Sequence, residues 1–395
     1  MKFNKWTLGL AAVGVVNLAS AAKADEKLSA VQTALSSTTI SGYVDTSAQW
    51  NFGTGNANNP PYAYGGGGKA DGFNLNVVQV SIGKPLDESE WASGYKVDLW
   101  FGPDANTLGT HSAGGNTSDF TIKQAYVALR TPVGNGIDWK IGVFDTIIGY
   151  ESSESPNNPN YTRSYGYTIE PTTHTGLLGT YRVCEEFSFS AGVADTFGPV
   201  INQRTFPPAT GVLGNGGESY KTYMASIALT APQSWGWAAG STAYAGVING
   251  FDATPTLNGP AKQTSWYAGA TLATPVTGLK AGVSFDYMDA HSGSTGAIGN
   301  GNDAYAVGLY TSYQATEKLS LHGRGELLTF QNNAPHDNLQ VWEFTGTAQY
   351  DLWQNVISRL EFRWDHGDEG KYFGGTAAPN RKNAYMVAAN IIYKF

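Results

Sequence analysis

The sequence predicts an all-β fold, a 16-stranded antiparallel transmembrane β-barrel with long external loops and short periplasmic turns. Three observations predict it. Strand-length stretches that alternate apolar and polar residues recur about sixteen times along the chain. The connections between them alternate between long and short. The stretch Asn383 to Phe395 is a final aromatic strand, with Tyr385, Val387, Ala389, Ile391, Tyr393 and Phe395 on one face and Met386, Asn390 and Lys394 on the other. Such a strand in lipid must pair with the first one, because an open edge would leave a row of backbone groups without partners.

The first strand, Thr39 to Phe52, answers it. Ile40, Gly42, Val44, Thr46, Ala48, Trp50 and Phe52 suit lipid, while Ser41, Tyr43, Asp45, Ser47, Gln49 and Asn51 suit water. A half-buried strand of a soluble sandwich would alternate in the same way, so the whole set of strands must decide. Composition favours a barrel: 49 Gly, 22 Tyr and 11 Trp, with 14% charged residues, describe a β-rich chain with many turns. A mean hydropathy of −0.26 excludes a bundle of membrane helices.

Residues 1–24 read as a Sec signal peptide. Lys2 and Lys5 precede an apolar stretch from Leu8 to Leu18, and small residues lead to an Ala22-Lys23-Ala24 cleavage site. Its removal takes three lysines and moves the net charge from −8 to about −11, an acidic chain without the basic patch that nucleic acid requires. Residues 25–37 form a short periplasmic segment, and the barrel spans 38–395. The lone Cys184 permits no intramolecular disulfide in an exported chain.

In order, the strands fall near 39–52, 73–84, 94–101, 120–130, 137–144, 176–182, 187–195, 220–230, 237–247, 264–274, 279–287, 304–314, 319–330, 340–351, 356–365 and 384–395. The second changes phase at Val77-Val78, which a bulge explains. The odd connections run about 20, 18, 31, 24, 15, 15, 9 and 18 residues and the others about 4 to 9, the asymmetry of outer-membrane barrels. Tryptophans collect at the strand ends as interfacial rings do. Trp91, Trp139, Trp235, Trp237 and Trp353 fall at the periplasmic ends, and Trp50, Trp100, Trp266, Trp342 and Trp364 near the external ends.

The second face of the strands then lines a lumen. Along 356–365, Val356, Ser358, Leu360, Phe362 and Trp364 point out and Arg359, Glu361, Arg363 and Asp365 point in; His322, Arg324 and Glu326 repeat this opposite Leu319, Leu321 and Leu327. Charges at alternate positions would be costly in a packed core. Sixteen strands are wide enough for water instead.

The stretches TTISGYVDTSAQWNFGTGN (Thr38 to Asn56), GYESSESPNNPNYTRSYGYTIEPTTHTG (Gly149 to Gly176) and IIYKF (Ile391 to Phe395) resemble the putative beta-barrel porin family, OmpL-like, over nearly the whole mature chain. The resemblance implies an outer-membrane pore and carries over no individual functional residue. It agrees with passive diffusion of ions and small hydrophilic solutes through a barrel embedded in outer-membrane lipid, without cofactor, metal or turnover. The alternatives are an exported all-β binding protein and a surface-recognition scaffold with a closed lumen. Porins of this size are often homotrimers, although no residue here specifies an interface.

No enzymatic constellation is present. Gly65 to Ala70 imitates a phosphate loop but has Ala70 where a magnesium ligand belongs. The six histidines lack metal spacing. Asp365, Asp368 and Glu369, around Gly367 and Gly370, offer oxygen ligands for a calcium ion in the last outer loop, but read better as a solvated acidic turn.

The third external connection, 145–175, is the longest and is expected to fold into the pore. Ile147, Ile148, Tyr150, Tyr161, Tyr165, Tyr167 and Ile169 would anchor it, and Pro156, Pro159 and Pro171 stiffen it. Glu151, Glu154 and Glu170, with Arg163 on the same loop, would then face Arg324, Glu326, Arg359, Glu361 and Arg363 of the wall across a narrow water-filled gap. The plainer alternative is that the wall charges neutralise one another, Arg359 with Glu361 and Arg324 with Glu326.

Overall fold

Backbone pairing closes the sheet into one barrel of sixteen antiparallel strands. They are β1 (Thr39–Trp50), β2 (Gly72–Lys84), β3 (Ser93–Phe101), β4 (Phe120–Thr131), β5 (Ile137–Asp145), β6 (Thr173–Arg182), β7 (Phe187–Ala194) and β8 (Thr222–Thr230). There follow β9 (Thr242–Thr256), β10 (Gly259–Ala273), β11 (Leu279–Ala290), β12 (Asp303–Gln314), β13 (Leu319–Gln331), β14 (Leu339–Trp353), β15 (Val356–Gly367) and β16 (Asn383–Lys394). This computed structural model describes residues 37–53, 57–60, 67–108, 111–112, 118–195, 197–206, 218–256, 259–290, 303–331 and 339–395. The signal peptide and nearly all of segment 25–37 lie outside the described residues.

The closing seam is the one the sequence demands. β1 pairs with β16 in the register Thr46↔Ile391 and Ala48↔Ala389. The Gly42 N–H donates to the Phe395 carbonyl at 2.9 Å, and the Phe395 N–H returns the bond at 3.0 Å. Inside the lumen Asn390 donates across the seam to Asp45. Gly42 is required here: a Cβ would lie 2.0 Å from the Gln79 carbonyl oxygen and 2.7 Å from the Phe395 ring.

Alternation holds around the barrel. Leu360, Phe362 and Trp364 are exposed on the outside while Arg359, Glu361, Arg363 and Asp365 are buried within. The phase change in β2 is a bulge: Asp45 faces Val77 and Thr46 faces Leu75, so Asn76 is the extra residue. Its side chain is buried and donates to Asp45 at 3.0 Å.

Three expectations are corrected. Trp100 is not in the outer girdle but fully buried in the lumen, where its indole N–H donates to Gln79 at 2.6 Å. A period of two already puts it in phase with the inward Lys96 and Asp98; Phe101 and Phe120 hold the outer position, with ring centroids 5.1 Å apart. The ninth strand starts at Thr242, because Gln233–Ala238 is a 3-10 turn interrupted by Gly236 at φ 61°, leaving Trp235 and Trp237 exposed on the turn. The fifth external connection is mostly strand, since β9 runs to Thr256 and β10 starts at Gly259. Alternation weakens there because Pro255 and Pro260 interrupt it.

Two further elements carry no alternation signal. A short helix, α1 (Pro103–Leu108), sits in the second external connection, and residues His111–Ser112 pair in parallel with Val200–Ile201 of the fourth. Lys69, of the glycine-rich turn, forms an ion pair with Asp104 of α1. The first and last external connections are also tied, Asn58 donating to the Gly374 carbonyl at 2.8 Å.

Replacing Gly42 by Val should strain the seam by about 1–3 kcal/mol, the ordinary cost of an overpacked position. The expected outcome is a lower unfolding midpoint, read as the temperature at which the compact electrophoretic form is lost. An unchanged midpoint would show that β1 shifts freely against β2.

Candidate pore constriction

The third connection, Thr146 to Thr172, lies inside the barrel and touches its wall on several sides. Its apolar residues fix it. Ile147, Ile148 and Tyr150 pack against Phe144, Leu178, Met224, Ile248, Tyr267 and Tyr310. Tyr150 stacks on Tyr310 at a ring separation of 4.0 Å and shares a hydrogen bond with Thr271 at 3.2 Å. Tyr165 and Ile169 meet Met288, Leu328 and, from the last external connection, Phe373. Tyr167 joins Tyr43, Trp100 and Ile357, while Tyr161 packs on Met386 and Ala388 of β16. All seven predicted anchors are buried.

The loop leaves β5 through Gly149 at φ +112°, where a Cβ would lie 2.3 Å from the Glu170 carboxylate. It then forms a 3-10 turn, Ser155–Asn157, and the short helix α2 (Tyr165–Ile169), capped by the Ser164 hydroxyl accepting from the Tyr167 N–H at 3.0 Å. Irregular backbone inside a membrane barrel needs partners for its own polar groups. The wall of β13–β15 supplies them. Glu361 accepts from the N–H groups of Tyr161 and Thr162 and from the Thr162 hydroxyl, the last at 2.6 Å. Glu326 accepts from the Tyr165 and Gly166 N–H groups. Arg359 donates to the Ser155 carbonyl at 3.1 Å and to that of Asn158.

Ion pairs complete this attachment. Arg324 meets Glu151 of the loop at 2.7 Å and Glu343 of β14 at 3.2 Å. Arg363 meets Asp365 at 2.9 Å and donates to the Arg163 carbonyl at 2.7 Å. Arg163 turns back on its own loop, donating to the carbonyls of Ser152 (2.8 Å), Tyr161 (2.9 Å) and Ser153 (3.2 Å). Neither expected wall pair forms. Arg359 takes carbonyls rather than Glu361, and Arg324 takes Glu151 and Glu343 rather than Glu326, because loop groups fill the space in front of each wall charge.

All nine predicted site residues therefore lie in the loop or on the wall around it, but on the β13–β15 side the contact is direct: Arg324 meets Glu151, and Glu326, Arg359, Glu361 and Arg363 bond loop backbone instead of facing loop charges across water. Glu154 stands apart on the opposite side of the loop. It accepts from Gln79 at 3.1 Å and lies 3.9 Å from Lys96. Sequence reasoning passed over the charges of that side, Lys96, Asp98, Lys123, Asp145 and Lys140. The alternation that places Arg359 and Glu361 inward places Lys96 and Asp98 inward too, but that strand lacks the run of four alternating charges that marks 359–365. Asp286 and Glu343 escaped notice for the same reason.

Glu170 sits against Asp286 at the loop's far end. Burial first, and then the neighbouring Asp286 carboxyl, push the Glu170 carboxyl well above its ordinary range. The protonated carboxyl then serves as hydrogen-bond partner of Asp286.

The closed sixteen-stranded barrel agrees with the family comparison. The model of the putative beta-barrel porin-2, OmpL-like family matches residues 37–395. The chain belongs to this porin family. It is accordingly a channel of the bacterial outer membrane. Solved structures of the same fold include the outer membrane channel DcaP of Acinetobacter baumannii (12% identity, 91% of this chain and 97% of that one, TM-score 0.60). An anion-selective porin from Comamonas acidovorans is similar at 13% identity over 91% of this chain and 99% of that one, TM-score 0.58. OmpF of Salmonella typhi is similar at 12% identity over 91% and 97%, TM-score 0.60. No curated protein sequence matches the chain.

Arg324→Ala would leave Glu151 buried without its cation and Glu343 with Arg363 alone, 3.8 Å away, a change that costs about 3–5 kcal/mol in comparable sites. The expected result is a lower denaturant midpoint, together with larger and noisier single-channel currents as the loop loosens. Equal stability and equal current noise would mean that the loop holds without this ion pair.

Glu170 also gives the loop a pH dependence of defined sign. Its folded pKa is raised, so the native state holds a proton that the unfolded chain gives up, and stability falls as pH rises from the ordinary carboxylate range toward the folded pKa. Glu170→Gln retains a donor for Asp286 and should remove that fall while preserving stability at low pH. Titration of the unfolding midpoint in both proteins checks it.

Proposed function

We propose that the loop Thr146 to Thr172 is the constriction of a passive channel for ions and small hydrophilic solutes, and that it narrows the pore by occupying the β13–β15 side of the lumen. The single observation that carries this reading is that bonding: Glu326, Arg359, Glu361 and Arg363 each bond loop backbone, so the loop cannot project into solvent while they hold it. In this reading seven of the predicted charges, Glu151, Arg163, Arg324, Glu326, Arg359, Glu361 and Arg363, position the loop. Glu170 pins its end. Glu154, with Lys96 opposite, faces the passage itself. Residues 1–24 act as the export signal, and 25–37 precede the barrel on the periplasmic side. The trimer form of the structurally similar OmpT of Vibrio cholerae (12% identity, TM-score 0.57) supports a homotrimer here. The mechanism needs no catalytic group or cofactor.

Planar-bilayer recordings of the purified barrel test the reading. The intact protein should give reproducible ion steps, and deletion of Ser152 to Arg163 should raise the step size severalfold in correctly folded channels. No steps at all would leave the scaffold reading, and steps of unchanged size would move the constriction elsewhere.

A further inference from the structure

The cations of the lumen wall are not all used in the same way. The three arginines of β13 and β15 bond the inward loop. Lys123 is paired with Asp145, Arg130 with Asp138 at 2.6 Å, and Lys96 with Asp98 at 2.9 Å. Lys140 is used in neither way. It occupies the lumen face of β5, in register with Ala128 of β4 and Leu178 of β6, and it takes part in no ion pair or hydrogen bond among the described residues. Its ammonium stands 5.1 Å from the centre of the Tyr126 ring.

Lys140 lines a cavity of about 340 Å³ at the periplasmic side of the barrel, shared with Lys96, Tyr126, Ser41, Ser81 and Thr180. The one carboxylate on this cavity wall is Asp138, and Arg130 already holds both of its oxygens, at 2.6 and 2.8 Å. The space therefore presents three lysines, Lys84, Lys96 and Lys140, of which Lys96 is paired with Asp98, and it has no free carboxylate of its own. An unpaired ammonium inside a protein is held at a cost that an arriving anion relieves.

Resting on the porin reading, we propose that this cavity is a docking site for small anions on the solute path. A carboxylate or phosphate group is held by Lys140 with help from Lys96. The hydroxyl of Ser41 bonds one of its remaining oxygens or a hydroxyl of the solute that carries it, whereas Ser81 already donates to Asp98 at 2.7 Å and Thr180 is paired with Ser190 at 2.9 Å. Tyr126 gives the solute an apolar edge to slide along. Glu154, beside Lys96, sets a negative charge at the inner limit of the site and favours release toward the periplasm.

Inorganic phosphate serves as the probe. Added on the side of the short turns to channels recorded in potassium chloride, it should reduce the chloride current of the unmodified barrel. Lys140→Gln should raise the phosphate concentration for half block by about tenfold, the effect of losing one charged hydrogen-bond partner. Lys140→Arg should keep the block. Ser41→Asp, which adds a carboxylate to the same cavity, should weaken it by a second route. Lys140→Gln channels that still conduct and are blocked at the unmodified concentration would overturn the docking site while leaving the pore intact. Absence of ion steps in the unmodified barrel would overturn the pore reading and the docking site together.

Discussion

A chain segment inside a membrane barrel has to find partners for its own peptide groups, and that constraint organises this lumen. Glu326 and Glu361 each accept from two consecutive backbone N–H groups of the loop, and Arg359 and Arg363 donate to its carbonyls. Carboxylates and guanidinium groups suit this because each offers two oxygens or several N–H groups in a fixed fork. The wall charges read most simply as pore chemistry, yet their nearest neighbours make them a socket for irregular backbone. Two opposite solvents meet within one strand: Leu360 and Phe362 face lipid, while Arg359 and Glu361 beside them hold peptide groups.

The lumen is divided accordingly. From β5 to β12 the loop meets an apolar surface of Phe144, Leu178, Met224, Ile248 and the tyrosines, where burial of hydrocarbon and stacking hold it. From β13 to β15 it meets charge. The first attachment tolerates sliding and the second fixes register, because a hydrogen-bonded fork has one geometry and a greasy contact has many. Lys96 and Lys140 of the wall lie beyond both attachments, and Glu154 of the loop reaches toward them, 3.9 Å from Lys96.

Strand phase was legible in the sequence because lipid outside and polar groups inside impose a period of two on almost every strand. The inward fold of the third connection was legible from its seven apolar anchors, which a solvated loop has no use for. Partner choice was not. Arg324 and Glu326 are two apart and share a face, so local spacing suggests a pair, whereas Arg324 takes a carboxylate from residue 151 that only tertiary folding delivers. Trp100 shows the opposite fault: its composition suggested a girdle, and its phase, read strictly against Lys96 and Asp98, pointed inward. The 3-10 turn at Gln233–Ala238 and the proline-interrupted hairpin of β9 and β10 break alternation, so strand ends there carry no readable signal.

The bond between Gly42 and Phe395 also sets an order of assembly. Its two residues are separated by nearly the entire barrel, and a contact so distant along the chain repays the entropy of bringing its ends together only after the intervening strands have paired. Until then the growing sheet has two unpaired edges, each ready to zip onto a neighbouring chain. An unfinished barrel of this kind is safest when something else occupies its edges, and the last strand ends that vulnerability in a single step, when its terminal aromatic ring settles over the one position in β1 that has no side chain.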